Sequence, residues 1–535
     1  MDHNRKTGSA LLMIFLGVLV GYFVVYAGEK FFSRLNPKVI APSKYDEVLY
    51  YINNMYVDTF NVSRLEEEAI TALMDELDPH SQYISVEEFN AVNDPLLGSF
   101  EGIGVQFRIV DDTVMIVNTV KGGPSEKVGI MAGDRIVFVN DSLVAGTKLK
   151  NDDVMRLLKG PKGTKVKVQN YRRGVKGLTE FTITRDVIPT YSVDVAYMLD
   201  DVTGYIKLSR FSATTHSEFV KAAKQLRSEG MLQLVFDLRG NGGGYLTEAV
   251  DIADEFLPKG SLVVFTEGRY RDKTRFYARK KGMLEDVPVV VLIDGESASA
   301  AEIVAGALQD NDRGTIVGRR SFGKGLVQEQ VMLSDKSAIR VTVSRYYTPT
   351  GRCIQKPFTG NKEAYLLESL DRYENGELFS ADSIHFNDSL KFVTPKGKVV
   401  YGGGGIMPDV YVPLVNDSTE YYFNKITNLG ILYQYAFDYC DKHRQELKRY
   451  KTVADFNKSF RVTDAMFNEL VAEAEKKDIK GNEAEKQVAR RKADILLKAY
   501  IARDIFDDEG FYPVYRDMDD MLKKALEVLA SEKNQ

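Results

Sequence analysis

Two stretches constrain the fold of this chain more than any other feature. They are Val287-Pro288-Val289-Val290-Val291-Leu292-Ile293 and Leu232–Leu238, the second running into Arg239. Each is apolar over most of its length, so a strand built from it must be covered on both faces. A helical pattern follows each one, from about Leu246 to Leu257 and from about Ala298 to Gln309. Thr315–Val317 and Ala338–Tyr346 read as further strands. Buried strands separated by helices predict a largely parallel sheet with helices packed on it, over residues 190–350.

The loops that leave these two strands hold the candidate chemistry. After Asp237-Leu238-Arg239 comes Gly240-Asn241-Gly242-Gly243-Gly244, and after Ile293 comes Gly295-Glu296-Ser297-Ala298-Ser299-Ala300. A serine at a helix start that follows a buried strand sits among free backbone N–H groups, and the helix dipole favours negative charge there. Ser299 is therefore a candidate nucleophile, with the Ala300 N–H as first oxyanion donor. The glycine loop is expected to supply the second, from Gly243 or, failing that, Gly242, since glycine allows close approach to a substrate. Only five histidines occur (His3, His80, His216, His385 and His443), which directs the search for a base to Lys324 in Ser321-Phe322-Gly323-Lys324-Gly325. A lysine base must be neutral. Bringing its pKa from about 10.4 to roughly 7–8 takes about 4 kcal/mol of differential solvation, normally by burial. Gln328 could then orient the amine.

Plainer readings compete at each position. An Ala/Ser-rich helix start is commonly a site of close packing, and Gly-Lys-Gly is commonly a surface turn. Gly318–Lys324 also fits the phosphate-loop spacing G-x-x-x-x-G-K, but Gly325 stands where a magnesium-binding Ser or Thr would be. His216 could serve as a conventional triad base. No His/Cys pattern suits zinc, so no metal and no cofactor is expected. The net charge of −5 gives no reason to expect a nucleic-acid partner. Cys353 and Cys440 could form one bridge, but two cysteines make no disulfide framework.

Around this core the chain changes character several times. Arg5 and Lys6 precede Ala10–Ala27, an uncharged apolar stretch of 18 residues. As a helix it would rise roughly 27 Å, enough to cross a bilayer with its N-terminus inside. A cleaved signal peptide is the alternative, and both readings export the chain. Tyr45–Tyr56 and Ser63–Leu77 have helical periodicity, and Ser85 with Glu88 forms a capping box. From about Gly98 to Asp186, short strands (Val105–Val110, Val114–Val120, Ile136–Val139, Thr164–Gln169) alternate with glycine turns and a helix at Asn151–Lys159. Residues 355–405 are loop-rich with a hairpin near Val393–Val400, and the chain is helical again after about 416. The expected divisions are 1–30, 31–97, 98–186, 187–415 and 416–535.

The 98–186 segment, opened by Gly102-Ile103-Gly104-Val105, resembles a PDZ domain, in which such a loop would hold a peptide carboxylate beside an open strand edge. More broadly, residues 45–410 resemble the carboxy-terminal processing peptidases, or tail-specific proteases. The resemblance is carried by Leu77-Asp78-Pro79-His80-Ser81, Gly102–Val105, Asp237–Gly244, Ser297–Ile303, Phe322–Gly325 with Val327-Gln328, and Tyr347-Thr348-Pro349-Thr350-Gly351-Arg352. It implies an α/β crotonase/ClpP-like serine protease core; with the segments read above, the whole is expected to be a multidomain α+β chain: transmembrane segment, helical segment, PDZ domain, that core, and a C-terminal helical domain. It also implies that Ser299 is the nucleophile, Lys324 the base and Gln328 its assistant. The implied partners are protein or peptide substrates with free C-termini, cleaved by a serine endopeptidase held at the inner membrane with its catalytic part in the periplasm. Ala301 replaces a small polar residue found in many members. The helices after 416 are less typical and could assemble a homo-oligomer. A non-catalytic PDZ adaptor that gathers peptides is the alternative from another class.

Overall fold

The computed structural model describes residues 43–385, 387–415 and 418–532. Among them no helix is long and apolar enough to cross a membrane, and the expected span at Ala10–Ala27 lies outside them. The chain divides after Ile70 into two units. The first contains the helix Lys44–Met55, whose start is fixed by Ser43 and Asp46 in a reciprocal capping box.

In the second unit, residues 99–189 form the glycine-bounded module. Its antiparallel sheet runs in the order Val105–Val110, Thr113–Thr119, Arg135–Val139, Lys165–Tyr171, Leu178–Thr184. Ile116, Ile136, Val166, Val168 and Ile183 fill its core, and the helix Asn151–Leu158 closes it through Val154 and Leu158. Val105–Val110 lies at the edge of the sheet. Ser99–Gly102 pairs with Asp186–Pro189, so the two ends of the module meet in one short ladder.

The following core has the expected parallel sheet. Its six strands run Val193–Met198, Thr203–Leu208, Gln233–Asp237, Val289–Ile293, Thr315–Gly318, Val410–Tyr411, all parallel except the first pair. Strand side chains alternate between faces, and that alternation sorts the core. Leu234, Phe236, Val289, Val291 and Ile293 pack with the helices Thr215–Ser228, Leu246–Asp254 and Ala300–Asp310. Val235, Val290, Leu292 and Val317 face the other way, onto Met521, Leu522, Ala525 and Leu529 of the last helix, Asp520–Glu532.

Three features depart from expectation. A second sheet, of five antiparallel strands, stands beside the first: Gln82–Ile84, Ala338–Tyr347, Leu262–Gly268 and Arg271–Tyr277, with Leu326–Met332 on Ala338–Tyr347. Gln82–Ile84 pairs with Ala338–Arg340, so the segment expected to be helical up to residue 97 contributes a strand to the protease core. The end of the chain is likewise shared. The helices between Tyr421 and Tyr515 form their own core, whereas Asp520–Glu532 covers the parallel sheet. Cys353 and Cys440 are free thiols.

The helical part also touches the glycine-bounded module. Arg108 lies 4.3 Å from the Phe437 ring centre and 5.1 Å from that of Tyr433. Asn118 donates to Asp507, and Arg173 reaches Asp441 at 3.5 Å. At the core, Arg239 makes two bonds to Asp519, 2.8 and 2.6 Å, while also pairing with Asp237. The last helix thus covers apolar strands and holds the base of the glycine loop. Leu522 is only 3% exposed. Leu522→Ala should cost about 2–4 kcal/mol, the usual range for a buried leucine. It should lower the urea midpoint of the core, and an unchanged midpoint would show that the helix is dispensable cover.

Candidate active site

The loops at the carboxyl ends of Gln233–Asp237 and Val289–Ile293 meet at the mouth of a cavity of about 450 Å³, whose lining includes Gly242, Gly243, Ser299, Lys324 and Gln328. Five residues singled out in the sequence as catalytic or oxyanion candidates therefore converge, although 25 positions separate Ser299 from Lys324 (324 − 299). The Gly102–Val105 loop belongs to the separate module. There the N–H groups of Ile103 and Gly104 have no acceptor among the described residues, and Gly104 has φ +72°, a conformation that favours glycine.

Ser299 takes φ 54° and ψ −113°, outside the ordinary regions for a residue with a side chain. Three contacts hold it there. Its N–H donates to Glu302 Oε2 at 2.9 Å, and its carbonyl accepts from Tyr346 Oη at 3.0 Å and from the Ile303 N–H at 3.0 Å. Gly243 packs directly against it. A Cβ on Gly243 would lie 2.7 Å from Ser299 Cβ and 3.0 Å from the Ala300 nitrogen. The Ala300 N–H, at the first position of the helix, has no acceptor among the described residues.

Glu302 is the residue whose role the sequence did not disclose. It is fully buried, and its carboxylate accepts four hydrogen bonds. Oε1 receives Ser321 Oγ at 2.5 Å and the Gly323 N–H at 2.8 Å; Oε2 receives the Lys324 N–H at 2.8 Å and the Ser299 N–H at 2.9 Å. Burial pushes its pKa up, against the pull of these donors. One carboxylate thereby fixes the backbone of both Ser299 and Lys324. Its position three residues after Ser299 is that of a capping box, which was the available sequence signal.

The Lys324 amine is half-buried and donates to Gln328 Oε1 at 3.1 Å rather than to Ser299 Oγ. Burial lowers its pKa, and the Arg340 charge lowers it further, while Asp78 and Glu302 act in the opposite sense. The Gln328 amide donates in turn to the His80 carbonyl. His80 is no base for Ser299: its Nε2 faces Tyr365 Oη at 2.9 Å, and burial and the Lys324 charge push its pKa down to about 4. Asp78 holds this turn by accepting from the His80 and Ser81 N–H groups at 2.8 and 3.0 Å. The Asp78-Pro79-His80-Ser81 motif is thus a support for Gln328.

Two candidates have other partners in this arrangement. The Gly243 N–H donates to Asn241 Oδ1 at 2.9 Å, so the amide chosen as second oxyanion donor is already engaged. The Gly242 N–H, on the same loop, has no acceptor among the described residues. His216 pairs with Glu255 at 2.9 Å and is absent from the cavity lining. The phosphate-loop alternative fails structurally, because Lys324 leads into the strand Leu326–Met332 and not a helix.

Comparison with known proteins supplies the family. Residues 202–361 match the model of peptidase family S41 and residues 102–183 that of the PDZ domain, while 422–507 match a family of unknown function. A carboxy-terminal-processing protease of Bartonella bacilliformis is 34% identical over 317 residues, 58% of this chain and 72% of that protein. Two carboxy-terminal processing proteases of Bacillus subtilis are 33% and 35% identical, covering 65% and 66% of this chain and 72% of each relative. The chain therefore belongs to the carboxy-terminal processing proteases, as a serine peptidase of family S41 with a PDZ domain.

Proposed function

We propose that Ser299 is the nucleophile, Lys324 the general base and Gln328 the group that orients it. The observation that carries this reading is a lysine, lowered in pKa by burial and held by Gln328, in the same cavity as a serine in strained backbone geometry. Neutral Lys324 takes the Ser299 hydroxyl proton as Oγ attacks the peptide carbonyl carbon. The same proton then passes to the leaving amine as the C–N bond breaks, leaving an acyl-serine. A water molecule, deprotonated by Lys324, releases the acyl group and restores Ser299. The Ala300 N–H is the first oxyanion donor, with Gly242 taking the second place in the arrangement described, or Gly243 once its amide leaves Asn241.

The fuller reading is a crotonase/ClpP-like endopeptidase exported and anchored by the apolar segment Ala10–Ala27, acting outside the cytoplasm. Arg5 and Lys6 before that segment support the orientation. Protein substrates with free C-termini would be engaged by the Ile103 and Gly104 N–H groups and by the edge strand Val105–Val110.

Ser299→Ala and Lys324→Ala should each lower kcat on a partly unfolded protein by at least ~10³-fold with folding preserved. Substantial turnover by either would refute the dyad. The base works only when neutral, so activity should rise with pH through a limb below the free-lysine value of about 10.4. A rate still climbing beyond about pH 10 would show that Lys324 is not the buried base. Glu302→Gln turns one acceptor oxygen into a donor facing N–H groups. It should destabilise the core by about 2–4 kcal/mol and lower kcat roughly 10²-fold, with KM little changed. Equal losses in KM would place Glu302 in substrate binding instead.

A further inference from the structure

The cavity that contains Ser299 holds a second cation, Arg340, on the strand Ala338–Tyr347. Arg340 is half-buried and donates to two neutral oxygens, Gln330 Oε1 at 2.9 Å and Asn93 Oδ1 at 3.4 Å. No ion pair among the described residues includes it. The carboxylates next to lining residues in the chain, or acting on Lys324, are engaged elsewhere: Asp94 with Lys159 at 2.8 Å, Glu329 with Arg271 at 2.6 Å, Asp78 with Ser81 and Glu302 with its four donors. The cavity lining therefore contains two positive side chains, Lys324 and Arg340, and no carboxylate.

A guanidinium that has lost part of its hydration, and that has only amide oxygens as partners, retains a strong attraction for an anion. Its planar fork matches the two oxygens of a carboxylate better than an ammonium could. The rest of the lining near Ser299 is apolar or neutral, with Leu246, Ile303 and Val327 able to face a side chain. Beside a peptide chain, the anion within reach is a carboxylate of that chain.

We propose that Arg340 is a specificity-determining residue that receives a substrate carboxylate, from an Asp or Glu side chain near the scissile bond or from the substrate's own C-terminus. This rests on the reading of Ser299 and Lys324 as the reacting pair. It has a consequence for the base. Arg340 depresses the Lys324 pKa, second to burial; Asp78 and Glu302 pull the other way, and His80 is neutral near pH 7. A carboxylate docked on Arg340 offsets its charge, so Lys324 becomes more basic in the complex than in the free enzyme.

The test uses peptides that share one scissile bond and differ in a Glu/Gln pair beside it or in a C-terminal acid/amide pair. Full-length wild type should show at least ~10-fold higher kcat/KM for one acidic member over its neutral twin, about 1.4 kcal/mol, and the responsive pair identifies the source. Its kcat limb with that peptide should lie at higher pH than its kcat/KM limb. Arg340→Gln should bring the preference to within about twofold, and Arg340→Lys should retain part of it. Equal rates for both pairs in wild type overturn the proposal without any variant. So does a preference that survives in Arg340→Gln, which would place carboxylate recognition in the PDZ module. Cleavage that persists in Ser299→Ala would instead overturn the dyad reading and this proposal with it, whereas Ser299-dependent cleavage blind to charge sinks Arg340 alone.

Discussion

The buried Glu302 carboxylate is the interaction on which the site depends. Ser299 and Lys324 come from different loops, and no direct hydrogen bond between their side chains keeps them together. Glu302 joins them through backbone: it accepts the N–H groups of Ser299, Gly323 and Lys324 and the hydroxyl of Ser321. Burying a carboxylate is costly unless its lone pairs are filled, and here four donors fill them. The same donors restrict where the two loops can lie. A Glu-to-backbone junction also leaves the Ser299 hydroxyl and the Lys324 amine unclaimed by the carboxylate, which a salt bridge from Glu302 to the Lys324 amine would not. Such a pairing would hold the amine charged and useless as a base.

A second constraint is that both faces of the parallel sheet must be covered. One face is closed by helices that belong to the core itself, including the helix that begins at Ala300. The other is closed by Met521, Leu522, Ala525 and Leu529, more than 100 residues after the last core strand, Val410–Tyr411. Asp519, at the start of that helix, fastens Arg239 just before the glycine loop. The helices before it meanwhile press on the PDZ domain at Arg108 and Asn118. The C-terminal region is thus in contact with the PDZ domain and with the base of the glycine loop at once.

Much of this was legible in the sequence wherever one physical rule dominated. The apolar runs at Val287–Ile293 and Leu232–Leu238 could hardly be other than strands covered on both sides, and the glycine turns of the PDZ domain mark its strands closely. The antiparallel sheet was harder, because Arg271–Tyr277 is almost wholly polar and exposed and has no alternation to read. Lys362–Glu374 was hidden inside a loop-rich stretch although it forms a helix capped by Asn361. At the site, residue type and order pointed to Ser299, Lys324 and Gln328. They could not reveal the part of Glu302, whose partners Ser321 and Lys324 lie 19 and 22 positions away. Nor could they reveal that Asn241 folds back on the Gly243 amide two residues on, a local habit of Asn side chains that competes with any use of that N–H. Arg340 was invisible for the opposite reason: an arginine in a strand is ordinary until its neighbours are seen to be neutral.

In the structure Lys324 is bonded to Gln328 and the Gly243 amide to Asn241, so both groups have partners inside the protein. Exchanging a neutral hydrogen bond for one to the substrate costs about 1 kcal/mol each before any gain. The Gln328 bond orients the base and can stay, so only the Gly243 amide has to change partner, which takes about 1 kcal/mol, roughly a fivefold shift in population. A carboxylate on Arg340 or a peptide along the PDZ edge can supply that from binding free energy that plays no part in bond cleavage. A chain that lacks either contact finds a site whose parts are present but bonded to one another.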